Sequence, residues 1–511
     1  MKFRPDDGEL VTRDGGPVRA SDVLRDKVAI FSDGRCLVSR SHADDVDVIG
    51  LMALARRLGF QTKTPEHVDL GSLRSLYSGA NGQREWSMGG KTLRVDTAMQ
   101  REVQELLQLA ARFQASDVHL VVEDDVATLR LRVDGELQPM PGASAGATRN
   151  WRAEHGRQFC MTAYALAAEG GTADASYDPF GYQAGRIMTG LPEGVQAVRL
   201  QFNPVGYSGR HLVMRLLYTG HAAGHTIEEL GFSKDQVKTL IDFTENQTGM
   251  VIISGPTGSG KTTTLERLMR HIVERCPGEN ILSVEDPPEY RIHGVVQLPV
   301  SNMRSDDDRD AAYTEAIAAA LRSDPDRIMI GEVRTPATAH HAFEAAMTGH
   351  QVLTTLHAND AMGIVPRLMD IGVEGYKLRD PSLIRGLIAQ RLVRRLCHHC
   401  RRQVSLGEAD LPVDLAMRLG DLLDDPTVWL PGQGCASCRG GYSGRTVIAE
   451  MICPDQTLLD LLCTGERQTA MHYWVTALKG RTFFHHVLDK IAEGIVDPLQ
   501  AEYKIGKLIA P

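Results

Sequence analysis

The chain has 511 residues, with 56 Lys and Arg against 65 Asp and Glu and a net charge of −9, which is enough length for three or four domains. The acidic balance argues against a general affinity for nucleic acid or anionic lipid. No stretch approaches the roughly 18 apolar residues of a membrane span, and the amino terminus lacks an apolar signal region. A cytoplasmic protein is therefore expected, reaching any membrane only through a partner.

Residues 1–97 read as a small separate domain of unassigned role, with one helix predicted from Val48, Leu51, Met52, Ala55 and Leu58. A second amphipathic helix carries Met99, Val103, Leu106, Leu107, Ala110 and Phe113 and leads into strands at 118–122 and 128–133. Asp134-Gly135 closes a turn. Alternation in Val198, Leu200 and Phe202, and again in Leu212, Met214 and Leu216, predicts two more strands of an α+β domain over residues 98–222. The glycine-rich segment 219–225 then reads as a hinge.

Residues 250–253 form a short apolar run, and a helix is predicted from about Thr262 with Leu265, Leu268, Met269, Ile272 and Val273 on one face. Between them stands Gly255-Pro256-Thr257-Gly258-Ser259-Gly260-Lys261-Thr262, a phosphate-binding loop in its proper strand-to-helix setting. Its glycines let consecutive N–H groups face one anion, the helix adds its positive end, and Lys261 brings a full charge to the terminal phosphates. Thr262 is expected to help hold Mg2+, and Thr263 completes the binding segment for ATP. Strand and helix alternate from there on, so the strands should be parallel and deliver their carboxyl ends to the phosphate edge. Three ends are polar: 281–284 runs into Glu285-Asp286, 328–330 into Gly331-Glu332, and 352–356 into His357-Ala358-Asn359-Asp360. Phosphoryl transfer needs charges placed more than bonds made, so one glutamate should orient the attacking water and another act through the magnesium shell, with His357 sensing the terminal phosphate. Asp306-Asp307-Asp308 reads as a solvated loop.

Cys397-His398-His399-Cys400 and Cys435-Ala436-Ser437-Cys438 are two ligand pairs, each able to grip one tetrahedral ion from a tight turn, and structural Zn2+ is the expected metal. Four thiolates close such a site, so His398 and His399 are not expected as ligands. Cys36, Cys160, Cys276, Cys453 and Cys463 read as ordinary buried thiols. Arg385, Arg391, Arg394, Arg395, Arg401 and Arg402 form a local basic cluster, read as a solvated or subunit-facing surface.

These residues resemble the secretion ATPases of type IV pilus assembly and type II secretion, over roughly residues 98 to 510. Residues 281–290, Ile-Leu-Ser-Val-Glu-Asp-Pro-Pro-Glu-Tyr, look like that family's Asp box; residues 327–334 look like its atypical Walker B segment; and Thr348-Gly349-His350 through Asp360 looks like its His box. Ala115-Ser116-Asp117-Val118-His119-Leu120 and Leu131-Arg132-Val133-Asp134-Gly135 resemble the preceding domain. The resemblance implies an α/β fold with a RecA-like P-loop core over 223–396, a PAS-like α+β domain before it and a zinc-bearing, helical subdomain over 397–511. It implies Glu285 as general base, Glu332 as support for magnesium and water, and His357 as the link between phosphate state and conformation. Arg199 and Arg215 are the implied arginine fingers, with Arg210 their nearest competitor. Thr335 departs from the family, which often has an aspartate there.

The resulting expectation is a homohexameric ATPase that drives pilin extension through an inner-membrane platform protein, with type II secretion as the alternative cargo system. A nucleic-acid translocase would share this core, but the acidic total weighs against it. A nucleotide-gated scaffold without hydrolysis is disfavoured by intact Lys261, Glu285 and Glu332. A small-molecule kinase would need a substrate lid, where this chain has a zinc module and terminal helices.

Overall fold

The computed structural model describes residues 10–12, 17–18, 20, 24, 27–39, 45–68, 97–140, 150–169, 176–206, 209–219, 226–286, 288–300 and 306–510. The expected hinge lies outside the described residues except for Thr219. Two compact units emerge, Met1–Val103 with Gln158–Gly185 and Gln104–Arg157 with Arg186–Pro511.

In the first unit, β1 (Val28–Ile30), β2 (Cys36–Ser39) and β3 (Glu66–Val68) form a sheet in that order, next to the helix Val46–Arg57. Val28, Ile30, Val48, Leu51, Met52 and Ala55 share its core. Leu58 falls beyond the helix end and is 51% exposed, so it does not extend the apolar face as expected.

The second unit opens with an antiparallel sheet. Its strands are β4 (Asp117–Val122), β5 (Val126–Val133), β6 (Glu136–Pro139), β7 (Asn150–Arg152), β8 (Gln183–Ile187, of which Arg186 and Ile187 belong to this unit), β9 (Val195–Val205) and β10 (Gly209–Tyr218). They run in the order β6-β5-β4-β10-β9-β8, with β7 also on β5. Leu129, Leu131, Leu200, Phe202, Leu212 and Met214 are buried while alternate residues stay wet, as one covered face requires. Asp134 and Gly135 both take positive φ, 51° and 88°, the geometry of a two-residue hairpin turn.

The same unit contains a second sheet in the order β13-β12-β14-β15-β11-β16-β19. Its members are β11 (Gly249–Ser254), β12 (Ile281–Glu285), β13 (Val296–Pro299), β14 (Arg327–Ile330), β15 (Gln351–Leu356), β16 (Ile384–Leu396) and, separated in sequence by the short pair β17 (Arg402–Ser405) and β18 (Thr427–Leu430), β19 (Tyr442–Ile452). All neighbours are parallel except β16 and β19. Strands β11, β12, β14 and β15 are buried at every residue, which is why they read as short apolar runs without alternation. Their carboxyl ends meet at one edge, as the alternation of elements predicts.

One sequence reading is corrected here. Asp306, Asp307 and Asp308 are the first turn of the helix Asp306–Leu321, not a loop. Acidic residues are favoured types in the first turn of a helix because of its dipole.

Candidate active site

The helix Lys261–Arg275 begins directly behind Gly260, which sits in the left-handed region at φ 87° and provides no side-chain cap. The open N–H groups of its first turn are an anion cradle. Gly255 is equally required: a Cβ there would stand 2.4 Å from Gln390 O and 2.6 Å from Ser259 Oγ. The loop is braced from β16, where buried Gln390 donates to Ser259 O at 2.8 Å and accepts from Thr264 Oγ1 at 3.0 Å. Lys261 Nζ donates to Gly255 O at 2.8 Å and Pro256 O at 3.3 Å, and burial pushes its pKa down while Glu332 opposes the shift. Thr262 and Thr263 lie half-buried in the first turn, and the Tyr290 hydroxyl hydrogen-bonds Thr263.

Two of the three polar strand ends, at His357 and Glu332, meet this loop. His357, just past β15, points Nδ1 at Gly255 O (3.1 Å) and Nε2 at Glu332 Oε1 (3.2 Å), so both ring nitrogens face acceptors. The other oxygen of Glu332 pairs with Arg334 at 2.6 Å. The Glu332 N–H donates to the Tyr313 hydroxyl at 3.1 Å, and that hydroxyl donates to Val284 O at 3.1 Å. Glu285 is 6% exposed, and its Oε1 accepts from Ser283 Oγ (2.7 Å) and Gln297 Nε2 (3.0 Å). Burial raises its pKa, and those two hydrogen bonds counter the rise. A buried carboxylate with raised basicity at the end of a parallel strand is suited to taking a proton from water.

Arg199 and Arg215 stand directly opposite one another on β9 and β10, both exposed. Arg215 Nε is held by buried Asp117 at 2.8 Å, with Arg132 on the other side of the same carboxylate at 3.7 Å. In this chain Arg215 is thus engaged across its own sheet, not at the phosphate loop. Arg210, by contrast, is 2% exposed with its guanidinium 5.4 Å from the Phe202 ring.

The four cysteines do meet. Sγ atoms of Cys397, Cys400, Cys435 and Cys438 all lie within 4.8 Å of one another, and among the described residues they are the group placed to share a metal ion. Contacts of 3.7 Å (Cys397 to Cys435), 3.5 Å (Cys400 to Cys438) and 3.6 Å (Cys435 to Cys438) approach the sulfur spacing of about 3.8 Å that a tetrahedral Zn–S site demands. The donor set therefore fits zinc. Of the other cysteines, Cys36, Cys160 and Cys463 are buried as expected, Cys276 is only partly so, and Cys453 is exposed.

The basic cluster is less open than its sequence suggests. Arg394 pairs with Glu136 at 2.9 Å over the Tyr442 ring, Arg401 lies over Trp429, and Arg391 donates to Lys504 O and Asn359 O. Thr335 caps the helix Pro336–Met347 by accepting from Thr338 N, a task aspartate also performs.

Sequence reading missed Tyr313, Gln297 and Gln390, because each acts through partners distant along the chain. Their only local trace is a polar residue in an apolar setting.

A glycine loop opening a helix, a lysine over it and glutamates at neighbouring parallel strand ends define a P-loop nucleoside-triphosphate site. Residues 93–503 match the family described as Type II/IV secretion system protein, and the chain belongs to that family. Type II secretion system protein HxcR of Pseudomonas aeruginosa is 36% identical over 371 residues, 72% of this chain and 69% of that one. Type II secretion system protein E of Aeromonas hydrophila is 31% identical over 409 residues, 77% and 75% of the two chains. Type IV pilus assembly ATPase PilB of Thermus thermophilus is 32% identical over 411 residues, 78% of this chain and 42% of that one. The solved pilus retraction motor PilT with bound ADP shares the fold, at 20% identity and a TM-score of 0.51, covering 78% of this chain and 96% of its own. The chain is an ATP hydrolase of this family. Among the described residues no helix is long and apolar enough to cross a membrane.

Proposed function

We propose that this ATPase is a cytoplasmic motor that works as a homohexamer beneath an inner-membrane platform protein and drives assembly of pilin-like subunits. The meeting of Lys261 and His357 at Gly255 O, with Glu332 on the far nitrogen of His357, is the observation that carries the reading. Residues 255–263 cradle the triphosphate, with Lys261 on its terminal phosphates. Glu285 takes the proton of the attacking water, Glu332 supports Thr262 at the metal position, and His357 follows the phosphate state. Thr262 would hold Mg2+, which would supply positive charge to the transferring phosphoryl group. Arg199 and Arg215 act as fingers on the nucleotide of an adjacent subunit, a step in which Arg215 must exchange Asp117 for phosphate. Zn2+, held by Cys397, Cys400, Cys435 and Cys438, would fasten residues 397–511 as a structural subdomain and take no part in hydrolysis.

Pilus assembly is the use expected from sequence, and the likeness to PilB supports it. Type II secretion has a separate support: this chain matches 69% and 75% of HxcR and protein E against 42% of PilB. Steady-state ATP turnover and sizing with and without nucleotide test the motor. Lys261→Ala should lose nucleotide binding, and Glu285→Gln should bind ATP but turn it over at least 100-fold more slowly. Parental turnover in both would overturn the site assignment. Crosslinking in cells then separates a pilus from a secretion platform.

A further inference from the structure

The residues just past His357 are gripped at successive points from the C-terminal part of the chain. Arg391 on β16 donates to Asn359 O at 3.1 Å, Arg467 pairs with Asp360 at 2.6 Å, and Glu450 on β19 accepts the N–H of Ala361 at 3.0 Å. The second oxygen of Glu450 accepts the N–H of Phe483, at 3.1 Å, the first residue of the helix Phe483–Ala492. Arg391 closes the ring, its guanidinium 5.1 Å from the Phe483 ring and 2.6 Å from Lys504 O.

Glu450 is 4% exposed. Burying a carboxylate is expensive, and the arrangement persists only where its lone pairs are satisfied. Here two backbone donors from two different elements satisfy them. A carboxylate offers two acceptors and no donor; glutamine in the same place would turn an N–H against an N–H.

We infer that Glu450 is a positioning residue for ATP hydrolysis, its carboxylate clamping the loop behind His357 to the helix Phe483–Ala492 so that movement of one is felt by the other. The inference rests on His357 following the phosphate state. It gives the site a mechanical exit: a shift of His357 between Gly255 and Glu332 pulls on Ala361, and through Glu450 on the C-terminal helices.

The test compares Glu450→Gln, His357→Ala and the double variant in the full chain, by steady-state ATP turnover. Loss of a charge-assisted hydrogen bond should lower kcat about tenfold in Glu450→Gln, with KM for ATP within about twofold, since no part of the triphosphate cradle is touched. The double variant should be no slower than His357→Ala alone, because both changes break one linkage. A merely structural Glu450 would instead multiply the two losses, and that result overturns the inference. So does a parental kcat in Glu450→Gln alongside a slow His357→Ala. A parental rate in His357→Ala is a different outcome: it removes the His357 reading and this inference with it. Ala361→Pro deletes the N–H donor at the first residue of the short 3-10 helix Ala361–Gly363, adding a ring at a buried position, and should also lower kcat if Glu450→Gln fails to fold; parental kcat there overturns the inference as well.

Discussion

Tyr313→Phe removes one oxygen atom from behind the active site. The phenol is 8% exposed, and burial pushes its ionisation upward, so it remains protonated and donates to Val284 O while accepting from Glu332 N. After the substitution Val284 O keeps the N–H of Gly331, at 2.9 Å, and stays satisfied. The Glu332 N–H instead loses its acceptor. One neutral hydrogen bond contributes about 1 kcal/mol, and leaving a half-buried donor unmet adds about as much again, roughly 2 kcal/mol in all. If the loss falls on the transition state through a displaced Glu332, it amounts to about a 30-fold fall in kcat with KM little changed. If part falls on the ground state, the melting temperature drops by about 2–4 °C and kcat falls less. Steady-state turnover at saturating ATP and a thermal melt of the nucleotide-free protein separate the two. A kcat within twofold of the parent and an unchanged melt would refute the claim that this hydroxyl holds Glu332 in place.

Three further outcomes are expected from the geometry. Arg215→Ala should lower kcat about 1000-fold, as loss of an arginine finger does, while nucleotide affinity of the isolated protomer stays parental; fluorescent-nucleotide titration beside turnover checks the pair. The parent should carry one zinc per chain by atomic spectroscopy, and Cys435→Ser should lose it and melt lower, whereas retained metal with unchanged melting removes the structural-zinc proposal. His486 is buried, its Nδ1 accepts from Ala449 N at 3.0 Å, and burial pushes its pKa down to about 4 from 6.5. Between those values the unfolded chain takes a proton that the folded chain refuses, so stability falls as pH falls through that window. Urea midpoints should show the parent losing roughly 2 kcal/mol more than His486→Gln between pH 7 and pH 5; parallel curves would reject the assignment.

The basic cluster shows how far residue type alone can mislead. Six arginines within a short stretch suggest an exposed charged surface, yet three of them lie over aromatic rings or bind backbone carbonyls inside the protein. Arginine's planar head and apolar stem allow either fate, and only the neighbouring rings decide between them. The acidic run at 306–308 misleads in the same way, since its helix is recognised from the alanine-rich residues 311–320 and not from the run itself.

The phosphate loop was readable because its requirements are local: glycines where φ is positive, a lysine at fixed spacing, an apolar strand before and an amphipathic helix after. The paired Cys-x-x-Cys motifs and the polar ends of buried strands are local in the same sense: the first anticipated the thiolate cluster, and the second singled out Glu285, Glu332 and His357 as candidates without coordinates. Tertiary structure alone chose the partners of those groups. Tyr313 behind Glu332, Gln297 on Glu285, Gln390 beneath the loop and Glu450 behind Ala361 all reach across the chain to atoms of other elements. Sequence periodicity records which face of an element is buried, but a hydrogen bond between distant elements depends on how those faces pack, and that is decided only when the sheet closes.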